Sequence, residues 1–508
     1  MCFEKSNVII FHTDQQRFDC VGCNGNSFIQ TPNIDSIAEQ GVNFTRHISS
    51  NPVCMPSRAS LFTGMYPLGH NVRVNGVPLN RRKYLLSKNE KDSERLTQTL
   101  IAEPQTLADI FKRNGYRTAA FGKLHFTPHL APVQYRFPES YAMWQEESNE
   151  IENWTGPYYG FDYVKFVLGH GEYPCFIGGH YSKWLKKHHR EIYDKVRLQD
   201  NRKYPVLKQR DLYPSIVPSE LHNTNWLAEN VCDYLKQYSD NEKPFFVFVG
   251  FPDPHHPFTP SYDIVKEFEN ADVHQPIDPK GQAAKSSSVM SELIQNKAVN
   301  LSDDELMTVI RYTYAMIYQI DLAIGKILSC LKSQGLWDRT VIVFTSDHGD
   351  WLGDHKLLYK ADIGCDSLLH TPLIMRFPRA NIYEREINLP VSNCDVAPTL
   401  LNYCGIDVPF EMHGENISGI LGTSDRAVFA FAIYEDLRLL NYTLYTSQYR
   451  FTYYPNIDYC ELYDHWKDKD EIYNIADSHK SLCNEFINCL GTVALKYSSS
   501  AIGRIADW

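Results

Sequence analysis

Four apolar runs stand out along the chain, and each passes at once into polar residues. Residues 7–11, NVIIF, run into His12, Thr13 and Asp14. Residues 116–122, YRTAAFG, run into Lys123, Leu124 and His125. Residues 245–251, FFVFVGF, run into Pro252, Asp253, Pro254, His255 and His256. Residues 340–346, TVIVFTS, run into Asp347 and His348. Unbroken Val/Ile/Phe runs of this length predict strands buried on both faces, as in a parallel sheet. In open α/β sheets the ligand site lies beyond the carboxyl ends of the strands. Four strand ends carrying Asp, Lys, His and Asp-His therefore predict one shared polar site. Between the strands the pattern turns helical. Ser302 and Glu305 form a capping box, followed by Ile317, Ile320, Ile324, Ile327 and Leu331 at helical spacing. Gly335 stops the helix before a strand at about Thr340. The alternation predicts an α/β fold with a large mixed, mainly parallel sheet flanked by helices.

Two stretches break the alternation. Residues 130–240 are rich in Tyr, Trp, Phe and charge, and are expected to form an insertion over the sheet ends. Within it, KWLKKHHR at 183–190 reads as a solvated helix face. Beyond residue 420, AVFAFAIY, NYTLYTSQ and YRFTYYP read as short antiparallel strands. The expected organisation is a catalytic domain over 1–420 and a small β-rich subdomain over 421–508, packed on it.

Composition narrows the function. A net charge of −11 argues against a nucleic-acid partner, so an anionic substrate needs a local basic cluster. No apolar run approaches the roughly 20 residues of a membrane span, and MCFEKSNVIIFHTDQQR lacks the pattern of a signal peptide. Thirteen cysteines, an odd number without framework spacing, suit a reducing compartment. The expectation is a cytoplasmic protein with no membrane partner. Cys20 and Cys23 form a lone C-x-x-C, read as coincidence in the absence of a second pair.

The stretch NPVCMPSRASLFTGMYPLGH, residues 51–70, carries candidate chemistry. Pro56 suits the first turn of a helix that Ala59 to Phe62 continue and Thr63-Gly64 end. Cys54 then sits just ahead of a helix N-terminus, where unpaired N–H groups and the helix dipole favour negative charge. Arg58 adds a planar cationic fork. The stretch reads as an anion site with a sulfur in it.

C-x-P-S-R followed by T-G resembles the signature of the type I sulfatases of the alkaline phosphatase superfamily. The resemblance extends along nearly the whole chain, through the Asp14 strand end, FGKLH, DPHHP, TSDHGDWLGDH with Lys360 after it, and ELYDHWKDKDEIYNIAD. It implies an alkaline phosphatase-like fold. It also implies that a separate maturation enzyme oxidises Cys54 to Cα-formylglycine, whose hydrate attacks sulfur. The implied metal ligands are Asp14, Gln15, residue 54, Asp347 and His348, around Ca²⁺, with Mg²⁺ or Mn²⁺ as alternatives. Gln15 departs from the second Asp of many sulfatases. Lys123, Lys360 and Arg58 would neutralise sulfate oxygens. His125 would orient the hydrate. His255 would contact sulfate and protonate the leaving alcohol, with His256 as competitor. Asn75 and His413 resemble substrate-side positions.

The function expected is a sulfuric ester hydrolase acting on a small sulfate ester, a sulfated saccharide above all. One alternative is a phosphonate monoester or phosphodiester hydrolase of the same superfamily, which Asp14-Gln15 and Asn75 resemble. Another is an unmodified, non-catalytic anion-binding protein.

Overall fold

The computed structural model describes residues 5–81, 103–145, 151, 153–198, 211–237, 243–378, 384–419, 426–434 and 439–498. Its main sheet has eight strands in the order Tyr163–Lys165, Arg117–Gly122, Phe245–Gly250, Asn7–Thr13, Thr340–Ser346, Leu373–Arg376, Val42–Phe44 and Glu386–Ile387. The first five pair in parallel, and only Leu373–Arg376 runs antiparallel to its neighbours. The four runs read from the sequence are the four adjacent strands at its heart.

Their apolar continuity has a direct cause. Val8, Ile10, Phe246, Phe248, Val341 and Val343 enter one core, with Phe62, Leu107 and Leu400 from the helices Cys54–Thr63, Leu107–Arg113 and Val396–Tyr403. The alternate residues Ile9, Phe11, Val247, Val249, Ile342 and Phe344 enter the core on the opposite face. That face is covered by the helices Pro32–Glu39, Asn223–Lys236 and Asp303–Ser333. Each large apolar side chain fully buried this way contributes roughly 1.5–3 kcal/mol. Ser302 and Glu305 close their capping box reciprocally at the start of Asp303–Ser333, with Gln334 as its C-cap. By length and composition that helix could cross a membrane, yet most of it is buried inside the protein.

The 130–240 stretch differs from the expected insertion. Tyr163–Lys165 is the edge strand of the main sheet, and Asn223–Lys236 is a core helix against Asp303–Ser333. The aromatic residues of this stretch, among them Tyr158, Phe161, Phe166 and Trp226, are buried in the two main cores.

The C-terminal sheet is antiparallel, with strands Val428–Tyr434, Leu439–Tyr445, Tyr449–Tyr454 and Tyr459–Asp464 in sequential order. The helix Lys480–Tyr497 packs Cys483 and Leu490 against Leu444, Phe451 and Leu462. The expected boundary at 420/421 lies outside the described residues. This sheet reaches the site's framework: Phe431 N–H donates to Ser50 O at 3.0 Å, and Asn51 Nδ2 donates to Phe431 O at 2.6 Å. Asn51 Oδ1 in turn accepts the Val53 N–H at 2.8 Å, fixing the chain that enters the Cys54 helix.

At the ends of two central strands the backbones touch. Gly122 has φ +94, and a Cβ there would lie 2.0 Å from Gly250 O. Only glycine permits that approach, which brings Lys123 beside the loop carrying His255.

Candidate active site

The strand ends converge on the N-terminus of the helix Cys54–Thr63. Cys54 is its first helical residue rather than the residue before it, and Pro56 lies within the first turn. Val53, the N-cap, makes no side-chain capping hydrogen bond. The Met55 N–H is instead taken by Asn75 Oδ1 at 3.1 Å. Asn75 is exposed, so it stands at the rim beside Cys54.

Asp14 and Asp347 end adjacent strands, and each divides its two oxygens. The Oδ2 atoms face Arg58, with Nη2 2.9 Å from Asp14 and Nε 2.8 Å from Asp347. The third arm of the guanidinium donates to Lys123 O at 2.9 Å. Arg58 is fully buried, and three of its five N–H groups go to these partners. It sits between the two carboxylates and balances their charge.

The Oδ1 atoms face the other way. Asp14 Oδ1 lies 3.7 Å from Cys54 Sγ and 3.8 Å from His348 Nε2, and Asp347 Oδ1 lies 3.7 Å from His348 Nε2. His348 Nδ1–H donates to Gly349 O at 2.8 Å, which leaves Nε2 as the lone pair. The donor atoms of Asp14, Cys54, Asp347 and His348 all lie within 4.8 Å of one another, and all four residues are buried. Two carboxylates, an imidazole and the residue-54 side chain around one point form a set that fits a divalent cation. Gln15 turns its amide nitrogen to Asp350 Oδ2 at 2.5 Å and to His256 Nδ1 at 3.2 Å, with its carbonyl oxygen 3.5 Å from Lys360 Nζ.

Lys360 meets the sulfur directly. Its Nζ is 3.0 Å from Cys54 Sγ and 3.1 Å from both His255 Nε2 and His348 Nε2. Lys123 Nζ pairs with Asp14 Oδ2 and lies 2.5 Å from His170 Nε2. Burial and the Asp14 charge push the Cys54 thiol up, but Lys123, Lys360 and His348 outweigh them and bring it to about 7. Burial also opposes ionisation of Asp14, yet Lys123 and Arg58 hold it well below the usual carboxylate range. His255 is held well below the ordinary histidine value, by burial first and then by His170, His256 and Lys360. His125 has φ +59 and stacks on His129 at 4.0 Å. Its buried Nδ1 has no hydrogen-bond partner among the described residues.

His413 is not brought here. Its Nδ1 accepts the Tyr66 N–H at 3.0 Å and its ring stacks on Tyr497 at 4.3 Å. It packs beyond the C-terminal end of the Cys54–Thr63 helix, about 15 Å along the axis from Cys54. Two residues of the site escaped sequence reasoning. Asp350 lies within the TSDHGDWLGDH motif. His170 lies five residues beyond the short strand Tyr163–Lys165, where Lys165 interrupts the apolar pattern, inside a stretch read as an insertion.

A family model described as Sulfatase matches residues 6–406, and one described as N-sulphoglucosamine sulphohydrolase, C-terminal, matches residues 353–491. An arylsulfatase of Clostridium perfringens is 24% identical over 94% of this chain and 91% of its own length. An endo-4-O-sulfatase of Bacteroides thetaiotaomicron is 28% identical over 82% of this chain and 73% of its own. The solved phosphonate monoester hydrolase of Agrobacterium radiobacter superposes with a TM-score of 0.74 at 21% identity, covering 97% of this chain and 96% of that one, a likeness of fold. A family match over most of the chain, on a fold that gathers the signature motifs at one point, makes this protein a member of the sulfatase family, within the alkaline phosphatase superfamily.

Proposed function

We propose that this sulfatase hydrolyses a small sulfate ester of a saccharide, using a formylglycine made from Cys54 and a divalent cation. The observation that carries the reading is the Lys360–Cys54 contact at 3.0 Å, at a helix N-terminus flanked by two carboxylates and His348. A plain anion-binding module has no need of carboxylates beside its anion.

Asp14, Asp347, His348 and the residue-54 side chain would hold the cation, which supplies Lewis-acidic charge when bound. Converted to formylglycine, residue 54 offers the hydrate of an aldehyde, an oxygen nucleophile in place of sulfur. The ammonium groups of Lys360 and Lys123 bind the sulfate oxygens and offset the charge that develops during transfer. His255 Nδ1–H is committed to His256 O at 2.5 Å, so its Nε2 is the atom that takes up and delivers a proton. Arrival of an anion beside Nε2 favours that protonation, and the leaving alcohol then departs neutral. Gln15 holds His256 through its ring nitrogen, which leaves His255 as the proton carrier. The saccharide class is supported by the endo-4-O-sulfatase among the relatives. The buried Cys54 and Lys123 suit a compact terminal sulfate better than a threaded polymer.

A phosphonate monoester hydrolase is the second reading, favoured by Gln15 and Asn75 at positions resembling that branch. The test compares kcat/KM on a sulfated disaccharide, its parent polymer and a phosphonate monoester. The disaccharide is expected to lead by at least about tenfold, roughly 1.4 kcal/mol of transition-state preference. A tenfold lead for the phosphonate installs the second reading, and an active enzyme whose residue-54 peptide has the mass of an unmodified cysteine removes the nucleophile.

A further inference from the structure

His170 sits where neither its strand end nor the signature motifs pointed. Lysine has donors only, so the 2.5 Å approach of Lys123 Nζ makes His170 Nε2 the acceptor. The His170 ring lies on His255 at 3.7 Å between centroids with 14° between planes. Asp14, His170 and His255 bring three ligand atoms within 4.8 Å of one another, as a second cation site would. That place is already taken, because Lys123 Nζ itself contacts Asp14 and His170.

The turn carrying His170 is fastened on several sides. Gly171 has φ +53, and a Cβ there would lie 2.5 Å from Pro257 O and 2.7 Å from Thr259 Oγ1, so the turn rests directly on the segment that follows His255. Glu172 is buried and accepts from Ser215 Oγ at 2.6 Å. Tyr173 N–H donates to His170 O at 3.1 Å. A histidine in a turn this constrained has little freedom to leave its two partners.

We propose that His170 is a positioning residue for sulfate ester hydrolysis, holding the Lys123 ammonium through Nε2 and backing the His255 ring, so that both face the reacting group. The inference rests on the sulfatase reading above and adds a residue to it.

The experiment is a double-mutant cycle on the matured, cation-loaded enzyme with 4-nitrophenyl sulfate, together with inhibition by inorganic sulfate. His170→Ala is expected to lower kcat/KM roughly tenfold to hundredfold, the range for losing a hydrogen bond from a charged donor. The inhibition constant for sulfate should rise with it. In a Lys123→Ala background the same substitution should cost less than about twofold more, since its partner is gone. His170→Gln keeps an acceptor and should recover part of the loss. His170→Phe keeps only the ring and should recover less. A loss of equal size in both backgrounds, or a His170→Ala enzyme as active as the wild type, overturns the positioning role. A wild type without sulfate ester turnover, no different from Cys54→Ala, removes the functional reading and this inference with it. An active wild type with a silent His170→Ala removes this inference alone.

Discussion

Gln15 Nε2 donates to Asp350 Oδ2 at 2.5 Å, both residues buried beside Lys360. Burial pushes the Asp350 carboxyl up to about 6, and the Leu352 N–H and the Gln15 amide limit the rise. Replacing Gln15 with the aspartate of other sulfatases would remove that donor and set a like charge against Asp350. Gln15→Asp is expected to lower kcat/KM on an aryl sulfate roughly tenfold to hundredfold. Adding Asp350→Asn should recover much of it, because the asparagine restores a donor. Wild-type activity in the single variant would show that the pair carries no weight.

The cation prediction follows from the divided carboxylates. Protein made with formylglycine should purify with about one divalent cation per chain by elemental analysis. Asp347→Asn should bind far less. Chelation should abolish turnover, and added Ca²⁺ or Mg²⁺ should restore it. Removing the ion also removes its binding free energy from the native state, about 2.7 kcal/mol if it had been held at 100 times its Kd. The urea midpoint should fall accordingly.

Acid should destabilise the fold through histidines far from catalysis. His70 Nε2 faces Ser60 Oγ at 2.9 Å and its Nδ1 accepts the Val72 N–H at 3.1 Å. Burial first, then His413 and Arg73, lower it to about 3. The unfolded chain binds a proton near pH 6.5 and the native ring does not, so the contribution is complete above 6.5 and is lost as pH falls from 6.5 toward 3. At pH 5.5 the loss is about 1.4 kcal/mol from this residue. Urea unfolding at pH 7.5 and 5.5 should show a steeper pH dependence for the wild type than for His70→Gln. Identical slopes would contradict the buried neutral ring.

His413→Ala separates resemblance from structure. The ring anchors the Tyr66 backbone and Tyr497, away from Cys54. The variant should lose stability by about 1–2 kcal/mol and keep kcat/KM within about twofold per folded molecule. A selective rise in KM would return His413 to the substrate.

The meeting of polar side chains at the strand ends was legible because a buried parallel strand announces itself as an unbroken apolar run, and the residues just past neighbouring parallel strands come together. Asp14, Lys123, His255 and Asp347 were all found this way. Arg58 was legible as a residue but not in its orientation: its position on the first turn is visible in sequence, but which way the guanidinium turns depends on two carboxylates more than forty and nearly three hundred residues away. His170 was lost because the edge strand before it, Tyr163–Lys165, has only three residues and ends in a lysine, too little to stand out from its aromatic surroundings. His413 shows the converse. A motif-like position carries no information about distance, and here a helix lies between it and the sulfur.

All ten residues of the Cys54–Thr63 helix are buried, and Cys54 is 1% exposed. For the oxidation proposed at Cys54, this sets an order of events during biosynthesis. A second protein can grip NPVCMPSRASLFTG only as an open segment, before the sheet closes over it and before Arg58 locks onto Asp14 and Asp347. Under that proposal, maturation and folding would race on every newly made chain. Molecules that fold first are sealed as stable thiol forms, out of reach of the enzyme that would have activated them. Overproduction of the chain alone should therefore yield a well-folded and largely silent population, with specific activity set by the supply of maturation enzyme rather than by the yield of folded protein.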